Sequence, residues 1–161
     1  MFLTTRGRYA TRAMIRLALY HGHPPVAVAL IARDEGLSEK YLQQLLGTLR
    51  RAGLVRVTMG PHGGFELAHD PAQITIGSIL RSVEGDISLC ECVEHTGVCS
   101  RVDDCRARKL WCRATQGLVQ FLDSQTLAAV AHGPSAHTAR KSKPRSSSAS
   151  EKSARRLVPV K

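Results

Sequence analysis

The sequence predicts a mainly helical fold with one small β-hairpin. Four stretches within the first 85 residues place apolar side chains at the three- and four-residue spacing of one helix face. Two short apolar segments flank a glycine-rich turn, which indicates a hairpin. Hydrophobic residues make up 43% of the 161 residues but aromatic residues only 4%, so the core must be aliphatic.

The first predicted helix runs from Tyr9 to His21. One face is marked by four apolar residues at i, i+3, i+4 and i+7: Ala10, Ala13, Met14 and Leu17. Arg8, Arg12 and Arg16 recur four apart on another side, and Pro24-Pro25 follows the helix.

Two further helices are predicted close together, at Val28 to Glu35 and at Glu39 to Arg51. Gly36 separates them, and Ser38 is a suitable N-cap for the second helix. The second helix would bury Leu42, Leu45, Leu46 and Leu49. Two helices joined by a tight turn that contains glycine form a helix-turn-helix, whose second helix enters the DNA major groove. An ordinary helical hairpin with a polar outer face is the alternative.

Candidate DNA-binding residues lie on this second helix and next to it, where Gln pairs with adenine and Lys or Arg with guanine or phosphate. They are Ser38, Lys40, Tyr41, Gln43, Gln44, Arg50 and Arg51.

A hairpin is predicted next, from a strand at 54–59 and a partner at 65–68. The turn between them, Gly60-Pro61-His62-Gly63-Gly64, has little bulk, so the backbone can approach another chain closely. His62 and Gly63 are therefore added to the candidate DNA contacts. A last helix over 74–84 completes a winged helix-turn-helix domain, predicted to span residues 1–85.

Positive charge is concentrated at the two ends of the chain. Residues 1–56 hold nine basic and three acidic residues, residues 57–132 hold six and nine, and residues 133–161 hold eight and one. A folded basic segment favours a polyanionic partner such as DNA. The Ser-, Lys- and Arg-rich segment 133–161 is predicted to be a disordered tail, either a solvated end or a salt-sensitive attachment to nucleic acid.

All five cysteines lie within 23 positions: Cys90, Cys92, Cys99, Cys105 and Cys112. Without a secretion signal, clustered thiols favour metal binding or redox sensing over disulfides. No CxxC pair typical of zinc sites occurs, so the spacing of the three cysteines in 92–105 favours an iron–sulfur cluster, 2Fe–2S or 4Fe–4S. Zinc and a thiol redox switch remain alternatives. The cysteine-rich loop is predicted at 86–105.

A long helix is predicted from Cys105 to about Leu122, and residues 106–132 are predicted to form the dimerisation helices. Its apolar seam comprises Leu110, Ala114, Gly117, Leu118 and Phe121, with Trp111 beside it. A long exposed seam needs a partner, and the same helix of a second subunit is the simplest one. We expect a homodimer that reads a pseudo-palindromic double-stranded operator.

Several function classes are disfavoured. No apolar run approaches the roughly 20 residues that span a bilayer, and the arginine-containing N-terminus lacks a signal-peptide core, so a cytoplasmic location is expected. The sequence has no phosphate loop and no evident Ser/His/Asp arrangement, so neither an enzyme nor a small-molecule substrate is expected. A protein-interaction module is the remaining alternative.

Five segments together resemble the Rrf-type family of iron–sulfur winged helix-turn-helix transcriptional regulators, which includes IscR-, NsrR- and RirA-like proteins. They are 3–10, 38–45, 60–65, the run Cys92-x6-Cys99-x5-Cys105 with Leu110-Trp111, and 126–128. The resemblance covers about residues 1–131. It implies that Cys92, Cys99 and Cys105 ligate a cluster that senses iron–sulfur status, redox state or nitric oxide. It also implies that Lys40, Gln43 and Gln44 contact DNA.

The chain departs from the family pattern in four places, one of which is Met59 in place of a common wing arginine. Arg8 stands where some members have an acidic fourth ligand, and Arg108 stands where IscR-like members have histidine. The fourth ligand is therefore open among Cys90, Cys112, His95, a partner-subunit group and an exchangeable small molecule. Gln43 replaces the Glu through which IscR-like members restrict their choice of DNA.

Overall fold

A computed structural model describes residues 3–133. The predicted tail at 133–161 lies outside the described residues apart from Gly133. In chain order the elements are α1 (Thr5–Leu19), α2 (Val28–Glu35), α3 (Glu39–Arg51), β1 (Val55–Thr58), β2 (Gly64–Leu67), α4 (Ile76–Glu84), α5 (Glu91–Glu94), a 3₁₀ turn (Thr96–Val98), α6 (Arg106–Ser124) and α7 (Leu127–His132).

Helix α1 is the central element of the core. Its four predicted apolar residues are at most 2% exposed. The helix begins four residues before the predicted start, because the Thr4 hydroxyl accepts hydrogen bonds from the backbone N–H groups of Arg6 and Gly7 at 3.1 and 3.3 Å. The predicted apolar face is correct, and the missed first turn is explained by this cap.

Helices α2 and α3 have the predicted bounds. Gly36 between them has φ +66°, a left-handed conformation that ends α2 without the penalty of a side chain. The Ser38 hydroxyl accepts from the N–H of Tyr41 at 3.3 Å, which confirms the predicted cap. The four predicted leucines of α3 are buried, so they fix this helix against the rest of the domain.

Strands β1 and β2 form an antiparallel hairpin, with Val55 opposite Leu67 and Thr58 opposite Gly64. A side chain at Gly63 would overlap the carbonyl oxygen of Thr58, so the turn requires glycine there. Val26 and Phe65 exchange two backbone hydrogen bonds of 2.9 Å, which attach the hairpin to the segment before α2.

Helix α7 returns the chain to the core. The N–H of Ile76 donates to the carbonyl of Gln125 at 2.8 Å, and the N–H of Leu127 donates to the carbonyl of Ile74 at 2.7 Å. Leu127 is fully buried, and α7 lies against α1. The sequence analysis grouped these residues with the dimerisation helices, whereas their packing adds to the core around α1.

The segment between α4 and α6 was predicted as a loop, and it contains α5 and the 3₁₀ turn. Ile87 at its start is buried, but no residue of α5 is. Helix α6 runs two residues past the predicted end and contacts α4 and α5. No helix in the described range is both long and apolar enough to span a bilayer.

Candidate nucleic-acid interface and cysteine segment

Helix α3 presents the predicted base-reading side chains to solvent. Lys40, Gln43 and Gln44 are exposed, while the leucines on the other face of the helix are buried. Because the apolar face is fixed in the core, the polar face keeps one orientation. This arrangement suits a helix that enters a major groove.

Two other candidates on this helix make contacts within the protein. The Ser38 hydroxyl accepts the cap hydrogen bond at 3.3 Å. The half-buried Tyr41 ring meets Tyr9 of α1 edge-on, with ring centroids 6.1 Å apart. Both side chains therefore hold the N-terminal end of α3 in place, in addition to any contact with DNA.

A basic cleft lies between α1 and α3. The Nη2 atoms of Arg6 and Arg51 donate to the Thr48 hydroxyl at 3.3 and 3.0 Å. The cleft has a volume of about 410 Å³, and Gln44 also lines it. The sequence analysis named Arg51 but not Arg6 or Thr48, because sequence spacing could not show that the start of α1 meets the middle of α3.

The remaining predicted DNA contacts are also accessible. Arg50 is exposed near the end of α3, and His62 is exposed at the tip of the hairpin. Gly63 is half-buried, and its N–H donates to the carbonyl of Gly60 at 2.9 Å to close the turn.

Two of the three arginines in the stripe on α1, Arg12 and Arg16, have a structural role. Arg12 Nε lies 2.7 Å from an Oε atom of Glu35, and Arg16 lies 3.4 Å from the other. These ion pairs join α1 to the end of α2. Arg12 and Arg16 therefore position α2.

Cys90, Cys92 and Cys105 influence one another. The Sγ atoms of Cys90 and Cys92 are 3.6 Å apart. The pKa of Cys92 is raised, first by its hydrogen bond with Cys90, then by desolvation and by the charges of Cys90 and Cys105. A thiol beside other thiols resists deprotonation because no nearby cation stabilises a second thiolate charge. A bound metal cation would stabilise that charge.

Cys99 and Cys105 line one open pocket of about 430 Å³, together with Asp104. Cys112 lies on the second turn of α6. His95 is directed at its neighbour Glu94, with Nε2 3.8 Å from Oε1. Within residues 3–133, no three side chains of His, Cys, Asp or Glu are already arranged around a common metal position. The cysteine thiolates nevertheless have the donor chemistry that iron–sulfur clusters require.

Two polar contacts connect the cysteine segment to α6 and one ion pair connects α6 to α4, and sequence spacing indicated none of them. Arg108 Nε donates to the carbonyl of Cys92 at 2.8 Å, and the N–H of Leu89 donates to the Thr115 hydroxyl at 3.2 Å. Farther along α6, Asp123 accepts from Arg81 of α4 at 2.6 and 3.2 Å. A displacement of the cysteine segment would therefore act on α6, and α6 acts on α4.

The buried helix pair, the exposed polar face of α3 and the hairpin define a winged helix-turn-helix protein of the DNA-binding regulator class. The family model of Rrf2, described as an iron-dependent transcriptional regulator, matches residues 3–133. The chain belongs to the Rrf2 family of transcriptional regulators. This confirms the predicted fold class and family, and the predicted regulator rather than an enzyme.

Known proteins support the same assignment. The Rrf2 protein of Nitratidesulfovibrio vulgaris is 38% identical over 128 residues, covering 80% of this chain and 85% of that protein. The structure of CymR, described as the global cysteine regulator of B. subtilis, is 38% identical with a TM-score of 0.71, over 84% of this chain and 99% of that one. IscR of T. potens is 33% identical with a TM-score of 0.68, over 89% and 94%.

Proposed function

We propose that this chain is a homodimeric regulator that binds double-stranded operator DNA through α3 and the hairpin and senses through its cysteine segment. The observation that carries the proposal is the exposed polar face of α3, which includes Lys40, Gln43 and Gln44, on a helix whose apolar face is buried. The similarity to CymR, described as a global cysteine regulator, and to IscR supports a regulatory role.

Selection from a library of random 30-base-pair duplexes tests the DNA-binding part. We expect enrichment of a pseudo-palindrome, and an about 5- to 150-fold loss of affinity in Gln44→Ala, since a bidentate base contact contributes about 1–3 kcal/mol. Arg113→Ala, an exposed change on α6, is the control. A wild-type protein that enriches no sequence contradicts this part.

The exposed part of the predicted α6 seam supports the homodimer, whereas Leu118 of that seam packs against the core of its own chain. Leu110 and Phe121 are 55% and 60% exposed, and Trp111 beside them is 42% exposed. Gly117 lies between them, and a side chain there would meet no atom within 4 Å. Glycine inside a helix costs about 1 kcal/mol relative to alanine. A close approach by the partner's α6 explains why glycine is present.

Gly117→Leu therefore tests the dimer by sedimentation equilibrium. In an isolated subunit the leucine would enter open space and leave assembly unchanged. Against a second α6 it would separate the helices and weaken association. The matched control is Gln116→Leu at the neighbouring exposed position. Equal association in both variants and in the wild type would contradict a dimer through this seam.

Within the cysteine segment, Cys92, Cys99 and Cys105 would hold an iron–sulfur cluster, 2Fe–2S or 4Fe–4S, with the fourth ligand open among Cys90, Cys112, His95 and external groups. The cluster supplies thiolate-bound iron that redox change or nitric oxide alters. Arg108 and Thr115 hold the segment against α6, and the pair Arg81–Asp123 connects α6 to α4. Coupling of about 1–3 kcal/mol would change operator affinity about 5- to 150-fold.

Anaerobic purification followed by a visible spectrum, with iron and sulfide assays, tests the cluster. We expect a coloured wild type, a coloured Cys112→Ala control if Cys112 is not the fourth ligand, and colourless Cys92→Ala, Cys99→Ala and Cys105→Ala. A wild type free of iron would overturn the cluster.

A thiol redox switch is the second candidate, and the 3.6 Å approach of Cys90 and Cys92 favours it. The raised pKa of Cys92 opposes it, because a reactive cysteine needs thiolate character. An iron-free wild type whose DNA affinity changes on oxidation, while Cys90→Ser does not respond, would establish this candidate.

A further inference from the structure

Arg6 and Arg51 come from different helices and meet at one neutral acceptor. Both guanidinium groups donate to the Thr48 hydroxyl, so the two Nη2 atoms lie within about 6.3 Å of each other. The hydroxyl itself donates to the carbonyl of Gln44 at 3.3 Å. Two like charges are thus held close together by a group that cannot neutralise either of them.

Five other arginines of the described chain are arranged differently. Ion pairs with a carboxylate are formed by Arg12, Arg16, Arg33, Arg56 and Arg81. Among residues 3–133, neither Arg6 nor Arg51 has such a partner. Both side chains are exposed at the rim of the cleft of about 410 Å³. The chemistry of the cleft therefore favours an anionic ligand.

The backbone N–H groups of Arg6 and Gly7 at the start of α1 already donate within the protein and are not available to bind an anion. The N–H of Arg6 donates to the Thr4 hydroxyl, and the N–H of Gly7 donates to Glu84 at 2.8 Å. An anion in the cleft would be held by side chains, namely the two guanidinium groups. A planar guanidinium matches the oxygens of a phosphate, and one phosphate has enough acceptor oxygens for both.

The position of the cleft identifies the anion. Gln44, Thr48 and Arg51 lie at i, i+4 and i+7, on the same face of α3 as the side chains assigned to base contacts. A helix in the major groove is flanked by the phosphates of the strands that border the groove. We propose that Arg6 and Arg51 together clamp one backbone phosphodiester of the DNA, which rests on the DNA-binding function proposed above.

This clamp joins the first helix of the domain to the recognition helix on the DNA. The clamp would fix the rotation of α3 about its own axis in the groove. A phosphate bound from two helices restricts that rotation more than a phosphate bound from one helix. Arg6 then positions the protein without reading sequence.

Fluorescence anisotropy with a labelled 30-base-pair duplex of mixed sequence, measured across a series of KCl concentrations, tests the clamp. For Arg6→Gln we expect the slope of log affinity against log salt to fall by about 0.9 for each bound protomer, with affinity about tenfold weaker near 0.1 M salt. Arg8→Gln is the matched control, since it removes the same charge from the same helix on a different face. Its slope is expected to stay at the wild-type value.

Two further variants show whether the phosphate is shared. Arg51→Gln and the double variant should lose the same slope as Arg6→Gln, because the proposed clamp holds its one phosphate only when both guanidinium groups bind it. Thr48→Val keeps both charges and should lose affinity with little change in slope. Thermal melts of each variant separate misfolding from lost contact.

Arg6→Gln with the wild-type slope, or with no more loss than Arg8→Gln, overturns the clamp while DNA binding stands. A double variant that loses twice the slope overturns the sharing of one phosphate. A folded wild type that binds no duplex overturns the proposed function itself.

Discussion

The recognition helix and the cysteine segment differ in how firmly they are held. Four leucines of α3 are at most 2% exposed, whereas no residue of α5 is buried. A few polar contacts and the buried Ile87 attach the cysteine segment. Local stability follows buried apolar contact, so α3 should open only with the whole domain, while the cysteine segment should rearrange at low cost. The molecule thus combines a firmly held recognition helix with a loosely held cysteine segment.

Removing a core leucine should show the largest effect. Leu46→Ala, at a fully buried position, is expected to lower the free energy of unfolding by about 2–5 kcal/mol. Val98→Ala in the cysteine segment, at a position 48% exposed, should change it by no more than about 0.5 kcal/mol. Urea titrations of both variants measure the free energy of unfolding. Equal losses of this free energy would show that α3 and the cysteine segment are held equally firmly.

The hairpin and the cysteine segment offer a matched pair of glycines. A Cβ at Gly63 would overlap the carbonyl oxygen of Thr58, while a Cβ at Gly97 would meet no atom within 4 Å. Gly63→Ala should destabilise the domain by about 1–3 kcal/mol and weaken DNA binding. Gly97→Ala should be neutral in thermal melts. A Gly97→Ala variant as unstable as Gly63→Ala would show that the cysteine segment is tightly packed.

The cap of the recognition helix should matter less. Ser38→Ala removes the acceptor for the N–H of Tyr41 and should cost about 1 kcal/mol. Ser100→Ala, an exposed change in the cysteine segment, is the comparison. Thermal unfolding in the absence of DNA separates the cap from any DNA contact. Identical melting of Ser38→Ala and the wild type would disprove a stabilising cap.

The smallest expected effect on global stability is that of Arg108→Ala. It removes the hydrogen bond to the carbonyl of Cys92 and should cost no more than about 1 kcal/mol overall. Amide hydrogen exchange should nevertheless accelerate within residues 86–105. Arg106→Ala, exposed on the same turn of α6, should leave that exchange rate unchanged. Equal amide exchange rates within residues 86–105 in the wild type, Arg108→Ala and Arg106→Ala would mean that Arg108 does not hold the segment.

Local patterns predicted most of the DNA-binding half. The bounds of α2 and α3, the buried leucines and the Ser38 cap all depend on residues within a few positions of one another, which the sequence displays directly. The early start of α1 was missed because its cap, Thr4, was not considered. The family resemblance supplied the regulator class and the choice of cysteines, and the cysteine assignment stays a prediction.

Long-range pairs were not predictable in the same way. Arg6 meets Thr48 across 42 positions, and Arg108 meets the carbonyl of Cys92 across 16. No spacing rule relates such residues, because their meeting depends on how helices cross. The return of α7 to α1 was missed for the same reason: Leu127 belongs to a six-residue helix whose packing its own sequence does not specify.

The return of the chain at Gln125 makes the sensing region an insertion. It leaves at Gly85, just after α4, and comes back where Gln125 bonds Ile76 at the start of the same helix. Nine helical residues separate the two points by about 13 Å. A linker of about five residues would bridge that distance in place of the forty-residue excursion. Chain geometry alone would therefore allow a short connection here, but that connection would remove Leu118, Val119 and Leu122 of α6, which pack against the core.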